Sequence, residues 1–271
     1  MLLLLHRLAG LAPLQLVFWQ CFGLIVGGLL FFVGPARAQQ NLFNIPAGDL
    51  TPKNKFFFQQ QVNILGRQDI ESKSHLVYGL GRGWEVGINV INVKMDFRRR
   101  AEFFNVNDCD LSRPMKPLLQ ATGQKFFVFN DKFSTSIGTQ FGVNPVRLSG
   151  ESRLTHFTYN TWMYEPWQHV KFVAGPYVSD RGTVGYGNQV GMLLGFEAPL
   201  AKKWILMADI ITGTNANAVS VIGFNYLATK RVQLCLGAML PNPGSRNSQG
   251  IVFELNLLGY DDHEEQAPAL H

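Results

Sequence analysis

From Phe56 to Leu258 the chain consists of about twelve short runs in which apolar residues alternate with small or polar ones, and none reads as a long amphipathic helix. A period of two sends successive side chains to opposite faces of a β-strand. In the first run Phe56, Phe58, Val62 and Ile64 share one face, while Phe57, Gln59, Gln61 and Asn63 share the other. In the clearest, Lys203 to Thr212, Trp204, Leu206, Ala208 and Ile210 oppose Met207 and Asp209. Leu76 to Leu80 meets Trp84 to Lys94 across Gly81-Arg82-Gly83, a glycine-bounded turn suited to a hairpin. Similar runs follow at Pro117 to Phe129, Lys132 to Val143, Leu154 to Tyr164, Gln168 to Val178, Asn188 to Pro199, Ala218 to Leu227, Arg231 to Leu240 and Gln249 to Leu258. The expected fold is all-β and antiparallel.

The amino terminus sets the compartment. Arg7 precedes a stretch, Leu8 to Val33, that is apolar but for Gln15 and Gln20, and Ala36-Arg37-Ala38 is a small-x-small site ahead of Gln39. This reads as an export signal over residues 1–38. An uncleaved anchor helix is the alternative, because roughly 25 apolar residues can span a bilayer. Gln20 stands where lipid attachment at Cys21 needs a small residue, which excludes a lipoprotein. Beyond the signal no apolar run approaches the roughly 20 residues of a spanning helix, so any membrane span is built of strands. In hydrocarbon a strand must pair on both edges, which demands a closed barrel.

The division expected is a signal peptide over 1–38, a periplasmic N-terminal segment over 39–55, an antiparallel transmembrane β-barrel of about twelve strands over 56–260, and an acidic periplasmic tail over 261–271. Short links at Gly81 to Gly83, Asn130-Asp131, Glu165 to Trp167, Leu200 to Lys202 and Ala228 to Lys230 alternate with longer ones at Gly66 to His75, Met95 to Lys116, Asn144 to Arg153, Ser179 to Gly187, Gly213 to Asn217 and Pro241 to Ser248. Outer-membrane barrels keep such a rhythm, with short periplasmic turns and longer extracellular loops. A soluble periplasmic sandwich is the competing fold. Phe56, Trp84, Phe133, Trp162, Trp167 and Trp204 near strand ends argue against it, since interfacial girdles sit there.

Composition narrows function. The 24 basic and 19 acidic residues give +5, which falls to about +3 once Arg7 and Arg37 leave with the signal, too mild a charge for nucleic acid. Cys109 and Cys235 form no metal-ligand spacing, and a single disulfide between them stays open. There is no phosphate-binding glycine loop before a helix, no CxxC pair and no zinc-ligand histidine spacing. No cofactor and no catalysis are expected.

Pro46-Ala47-Gly48, followed by Tyr78-Gly79-Leu80-Gly81-Arg82-Gly83-Trp84-Glu85-Val86-Gly87, resembles the tyrosine-glycine-leucine, turn, glutamate-x-glycine pattern of a broad family of outer-membrane transporters named for the phenol meta-cleavage pathway. The resemblance covers mainly residues 46–95 and implies a monomeric barrel that passes small compounds. Ser248-Gln249-Gly250-Ile251-Val252-Phe253-Glu254-Leu255 resembles the C-terminal signal read by the barrel-assembly machinery, which implies that machinery as a partner in biogenesis. The chain departs from that signal by continuing through Tyr260 into Asp261-Asp262-His263-Glu264-Glu265.

If the apolar faces meet outer-membrane lipid, the opposite faces place Glu85, Lys171, Glu197, Asp209 and Glu254 in the lumen with Gln59, Gln61, Asn63, Asn89, Gln233 and Asn256. Charge on the lipid side at mid-depth is costly. Glu85, Asn89, Lys171, Glu197, Asp209, Gln233 and Glu254 are the expected path of a small-molecule solute through a passive channel in the outer membrane. A barrel with a filled lumen, its charges pairing across it, is the structural alternative. The longest loop carries Lys94, Arg98, Arg99 and Arg100, an extracellular basic cluster suited to lipopolysaccharide phosphates. An enzyme reading rests on His156, Thr158 and Asn160 sharing one strand face, which resembles the nucleophilic constellation of outer membrane phospholipase A with threonine in place of serine. His156 otherwise reads as a hydrogen-bonding residue of the lumen or rim.

Overall fold

Each alternating run pairs edge to edge with the next. The computed structural model describes residues 41–66, 69–96, 114–145, 154–167, 170–245 and 247–260. Its strands are β1 (Phe56–Leu65), β2 (Asp69–Gly81), β3 (Trp84–Asp96), β4 (Leu118–Asn130), β5 (Phe133–Val143), β6 (Thr155–Trp167), β7 (Val170–Ser179), β8 (Val190–Ala201), β9 (Trp204–Ile211), β10 (Val219–Leu227), β11 (Val232–Pro241) and β12 (Gly250–Leu258). Sequential neighbours pair antiparallel throughout, and β12 returns to β1 to close a twelve-stranded barrel, with Gln59 opposite Asn256 and Val62 opposite Phe253. Closure leaves no strand edge unpaired.

The rows that face out are mostly apolar, with Ile64, Ile88, Phe141, Phe224, Leu236 and Phe253 among the exposed side chains. The rows that face in hold Gln59, Gln61, Asn63, Asn89, Gln120 and Gln124, all buried. That arrangement inverts the usual order of a protein in water, and a largely apolar exterior of this kind marks a surface meant for a nonpolar surround. Phe56, Trp84, Phe133, Trp167 and Trp204 are exposed beside the short turns. Phe56 packs on Tyr78 at 4.7 Å between ring centroids and Trp204 on Tyr226 at 4.8 Å, which gives this end of the barrel an aromatic rim.

The β2–β3 turn takes the form its glycines predict. Arg82 (φ 53°) and Gly83 (φ 74°) both lie in the left-handed region, the geometry that matches the twist of a two-residue hairpin. At the opposite end a one-turn helix, α1 (Arg181–Val184), follows Asp180, whose Oδ1 accepts from Thr183 N at 2.8 Å.

Two expectations change. Strand β2 begins at Asp69 rather than Leu76, so the link expected over Gly66 to His75 is mostly strand. Its first half is polar on both faces: Glu71, Lys73 and His75 line the interior cavity, while outward Ser72 and Ser74 bond the Gln60 side chain at 2.7 and 2.6 Å. Alternation of hydropathy is invisible in such a run. The segment expected as periplasmic over 39–55 instead packs inside the barrel from Asn41 to Pro52, because Leu42, Phe43, Ile45 and Ala47 need burial and the wall offers it: Leu42 is 0% exposed and Phe43 2%. Residues 1–40 and 261–271, which carry the expected signal and tail, lie outside the described residues.

Candidate functional site: a half-filled lumen

The segment enters at the short-turn end, where Asn54 N donates to Gly79 O at 2.8 Å and Gly79 N donates to Lys55 O at 3.1 Å. Glycine is required at 79 because a Cβ there would lie 2.1 Å from Pro52 O and 2.2 Å from Thr51 O. Further in, the chain reverses between Leu42 and Ile45, with Leu42 N donating to Ile45 O at 2.9 Å. Its apolar side chains fit bare places in the wall: a Cβ on Gly195 would meet Leu42 Cδ1, and one on Gly237 would meet the Phe43 ring.

Polar wall residues hold the same segment. Glu85 accepts from Thr51 N at 2.9 Å. Lys171 Nζ sits 2.6 Å from Asp49 Oδ2 and 3.5 Å from Glu197 Oε1, with all three side chains largely withdrawn from solvent. Asp209 accepts from Asn44 N, while the Asn44 side chain accepts from Gln61 Nε2 at 3.2 Å and Lys73 Nζ at 3.3 Å. Asn41 Nδ2 donates to Gln59 Oε1 at 3.0 Å, and Gln59 Nε2 to Glu254 Oε2 at 3.1 Å. Charge-assisted bonds of this kind are roughly twice as strong as neutral ones.

Every residue of the expected solute path therefore faces inward, but several of them grip a plug. Glu85, Lys171, Glu197, Asp209 and Glu254 belong to the network just described. Gln233 lies deeper in the wall, accepting from Asn225 Nδ2 at 3.4 Å. Asn89 stands apart, 1% exposed, on the side the plug leaves open. On β7 to β12 the inward rows are largely apolar, and Val173, Leu193, Met207, Val221 and Val252 close around Leu42, Phe43 and Ile45 in one core cluster. On β1 to β6 they are polar, and a cavity of about 140 Å³ remains, bounded by Gln59, Lys73, His75, Asn89, Gln124 and Gln140 together with Phe157, Tyr159 and the plug's Asn44.

Sequence reasoning missed Asn44, Asp49 and Thr51, the plug's anchors, and missed His75, Gln124, Gln140 and Tyr159 in the cavity wall. Arg98, Arg99, Arg100 and Cys109 lie outside the described residues, and with Cys109 goes the question of a disulfide. Cys235 is buried in the inner wall, its sulfur accepting from Asn256 Nδ2 at 3.6 Å. Among the described residues no group of three or more His, Cys, Asp or Glu side chains is arranged to hold a metal ion.

His156, Thr158 and Asn160 face the outside of the barrel, not the lumen or its rim. The alternation of β6 decides this, since Phe157, Tyr159 and Thr161 are buried on the inner row. Thr158 Oγ1 pairs with Thr139 Oγ1 at 2.9 Å, and Asn160 Nδ2 donates to Thr135 Oγ1 and Ser136 O, both at 2.9 Å. Among the described residues no hydrogen bond joins His156 to Thr158.

No protein-family model and no curated protein matches the sequence. Among solved structures the barrel is similar to the KdgM porin, with a TM-score of 0.50 and 9% identity over 76% of this chain and 98% of that one. A second similarity, to outer membrane phospholipase A from Escherichia coli, has a TM-score of 0.40 and 15% identity over 78% of this chain and 94% of that one. At these identities the likeness is one of fold.

Proposed function

We propose that the protein is a passive outer-membrane channel or transporter for small polar solutes, delivered by an N-terminal export signal and inserted by the barrel-assembly machinery. Solute travels along the β1–β6 half of the lumen, and residues 41–52 narrow that route. The observation that carries this reading is the cavity beside the plug, lined by Gln59, Asn89, Gln124 and Gln140. A barrel serving only as a solid pillar gains most by burying apolar side chains, as the β7–β12 half does. The other half keeps amides and open space inside a wall whose outer face is greasy. A fold shared with a porin is consistent with passage and supplies no ligand. The Tyr78–Gly87 pattern fits a transporter of the phenol meta-cleavage kind, with Gly79 as the point where the segment crosses the wall.

Single-channel conductance in planar bilayers tests the proposal. The full chain conducts weakly, and a variant lacking residues 41–52 conducts several-fold more while still migrating as a heat-modifiable barrel. Two sealed barrels of equal, negligible conductance would sink it and favour the filled structural barrel, the reading that the plug itself supports. The hydrolase alternative loses its footing because Thr158 and Asn160 are committed to Thr139, Thr135 and Ser136.

A further inference from the structure

We propose that the amide-rich wall of this cavity, formed by Asn89, Gln124 and Gln140 with Gln120 paired beside Asn89 in the sheet, binds a neutral polyhydroxylated solute, a short uncharged oligosaccharide. The inference rests on reading the cavity as the solute path and names the class of solute. Register brings the four side chains together: Asn89 faces Gln120 across β3 and β4, Glu85 faces Gln124 one step nearer the turns, and Thr122 faces Gln140 across β4 and β5.

Two of these amides are buried without their full complement of partners. Asn89 and Gln120 are each 1% exposed. His75 interacts with the Asn89 side chain, yet Asn89 Oδ1 receives no hydrogen bond, and neither end of the Gln120 amide has one. A buried amide left open is unfavourable unless something else completes it, and Asn89 lines the cavity from which a ligand would do so.

The chemistry of the wall selects against charge. Its charged side chains offset one another, Glu71 and Glu85 against Lys73 and Lys116: Glu71 pairs with Lys116 at 3.3 Å, Lys73 donates to the Asn44 side chain at 3.3 Å, and Glu85 accepts from Thr51 N at 2.9 Å. What is left to offer is carboxamide, a donor and an acceptor in one planar group. A hydroxyl is likewise both donor and acceptor, so rows of amides match rows of hydroxyls, and the balanced charges of the wall supply no net counter-charge to an ionised solute. Phe157 and Tyr159 border the same space, giving an apolar surface for the C–H face of a sugar ring, and Tyr159 OH fixes Gln124 through a 2.5 Å bond to its Oε1.

The test is isothermal titration of the full chain in detergent with three trimers of similar size: maltotriose (neutral), trigalacturonate (anionic) and the glucosamine trimer (cationic). Maltotriose binds, and both charged trimers bind at least roughly tenfold more weakly. Asn89→Leu and Gln140→Leu, each checked by heat-modifiable migration, weaken maltotriose binding by roughly tenfold. Absence of maltotriose binding, equal or tighter binding of a charged trimer, or unchanged affinity in both variants would overturn the assignment. Conductance without maltotriose binding keeps the channel and removes the site; binding without conductance supports the site and removes passage.

Discussion

The carbonyl of Pro52 passes over Gly79 so closely that its oxygen stands 2.1 Å from where a Cβ would be. The obstruction is backbone, not the end of a flexible side chain, so a side chain at 79 can be admitted only by moving the segment.

Gly79→Val should therefore leave the barrel closed and unseat residues 41–52. Hydrogen exchange across 41–52 should quicken and single-channel conductance should rise, while the detergent-gel shift on heating persists. Unchanged exchange in the segment would show that it is not held at this crossing.

Lys171 Nζ stands between two carboxylates, 2.6 Å from Asp49 and 3.5 Å from Glu197. Removing one partner from a buried ionic cluster costs about 3–5 kcal/mol, because the charges left behind have lost both water and counter-ion. Lys171→Met should lower stability by about that amount in urea unfolding from lipid vesicles. Asp49→Asn, which keeps a hydrogen-bond acceptor near Nζ, should cost less.

Ile88 projects outward from β3, 56% exposed and flanked in register by Leu76 and Ala121. On a soluble protein an exposed Ile→Lys change away from special features stays within about 0.5 kcal/mol. On a lipid-facing strand near mid-depth it costs about 2–4 kcal/mol. Ile88→Lys measured in lipid vesicles should show the larger penalty, and a neutral result would contradict a bilayer-embedded exterior.

The purified barrel should release no fatty acid from phospholipid above background, with or without calcium, and His156→Ala should leave that rate unchanged. Among the described residues the Thr158 hydroxyl pairs with Thr139 at 2.9 Å and no hydrogen bond joins it to His156. Hydrolysis abolished by His156→Ala would restore the enzyme reading.

Much of the barrel was legible because lipid imposes a strict rule on one face of each strand. Trp204, Ile210, Phe224, Leu236 and Phe253 had to be apolar, and their alternation with Asp209, Asn225, Cys235 and Glu254 fixed direction as well as position. Strand β2 escaped where Gln60, Ser72 and Ser74 satisfy one another on the outer face and suspend that rule. The plug was not legible for a different reason. Asn41 to Pro52 has no periodicity, and its partners stand far off in sequence, Asp209 from Asn44 and Lys171 from Asp49. A signal was nevertheless present in the later strands: Val219 and Val221 face inward while Ile222 and Phe224 face outward, and a strand apolar on both sides must be covered on both. Read that way, the inner rows of β8 to β10 call for something greasy in the lumen, and Leu42, Phe43 and Ile45 supply it.

The division of the interior into one solid flank and one hollow flank separates two jobs that a uniform tube would have to share. On the proposed reading, substitutions at cavity residues that do not hold the plug, such as Asn89 and Gln140, would retune which molecules are admitted while leaving the packed flank of β7 to β12 in place. If the hollow flank carries solute as proposed, selectivity and robustness can change largely independently, each on its own side of the wall.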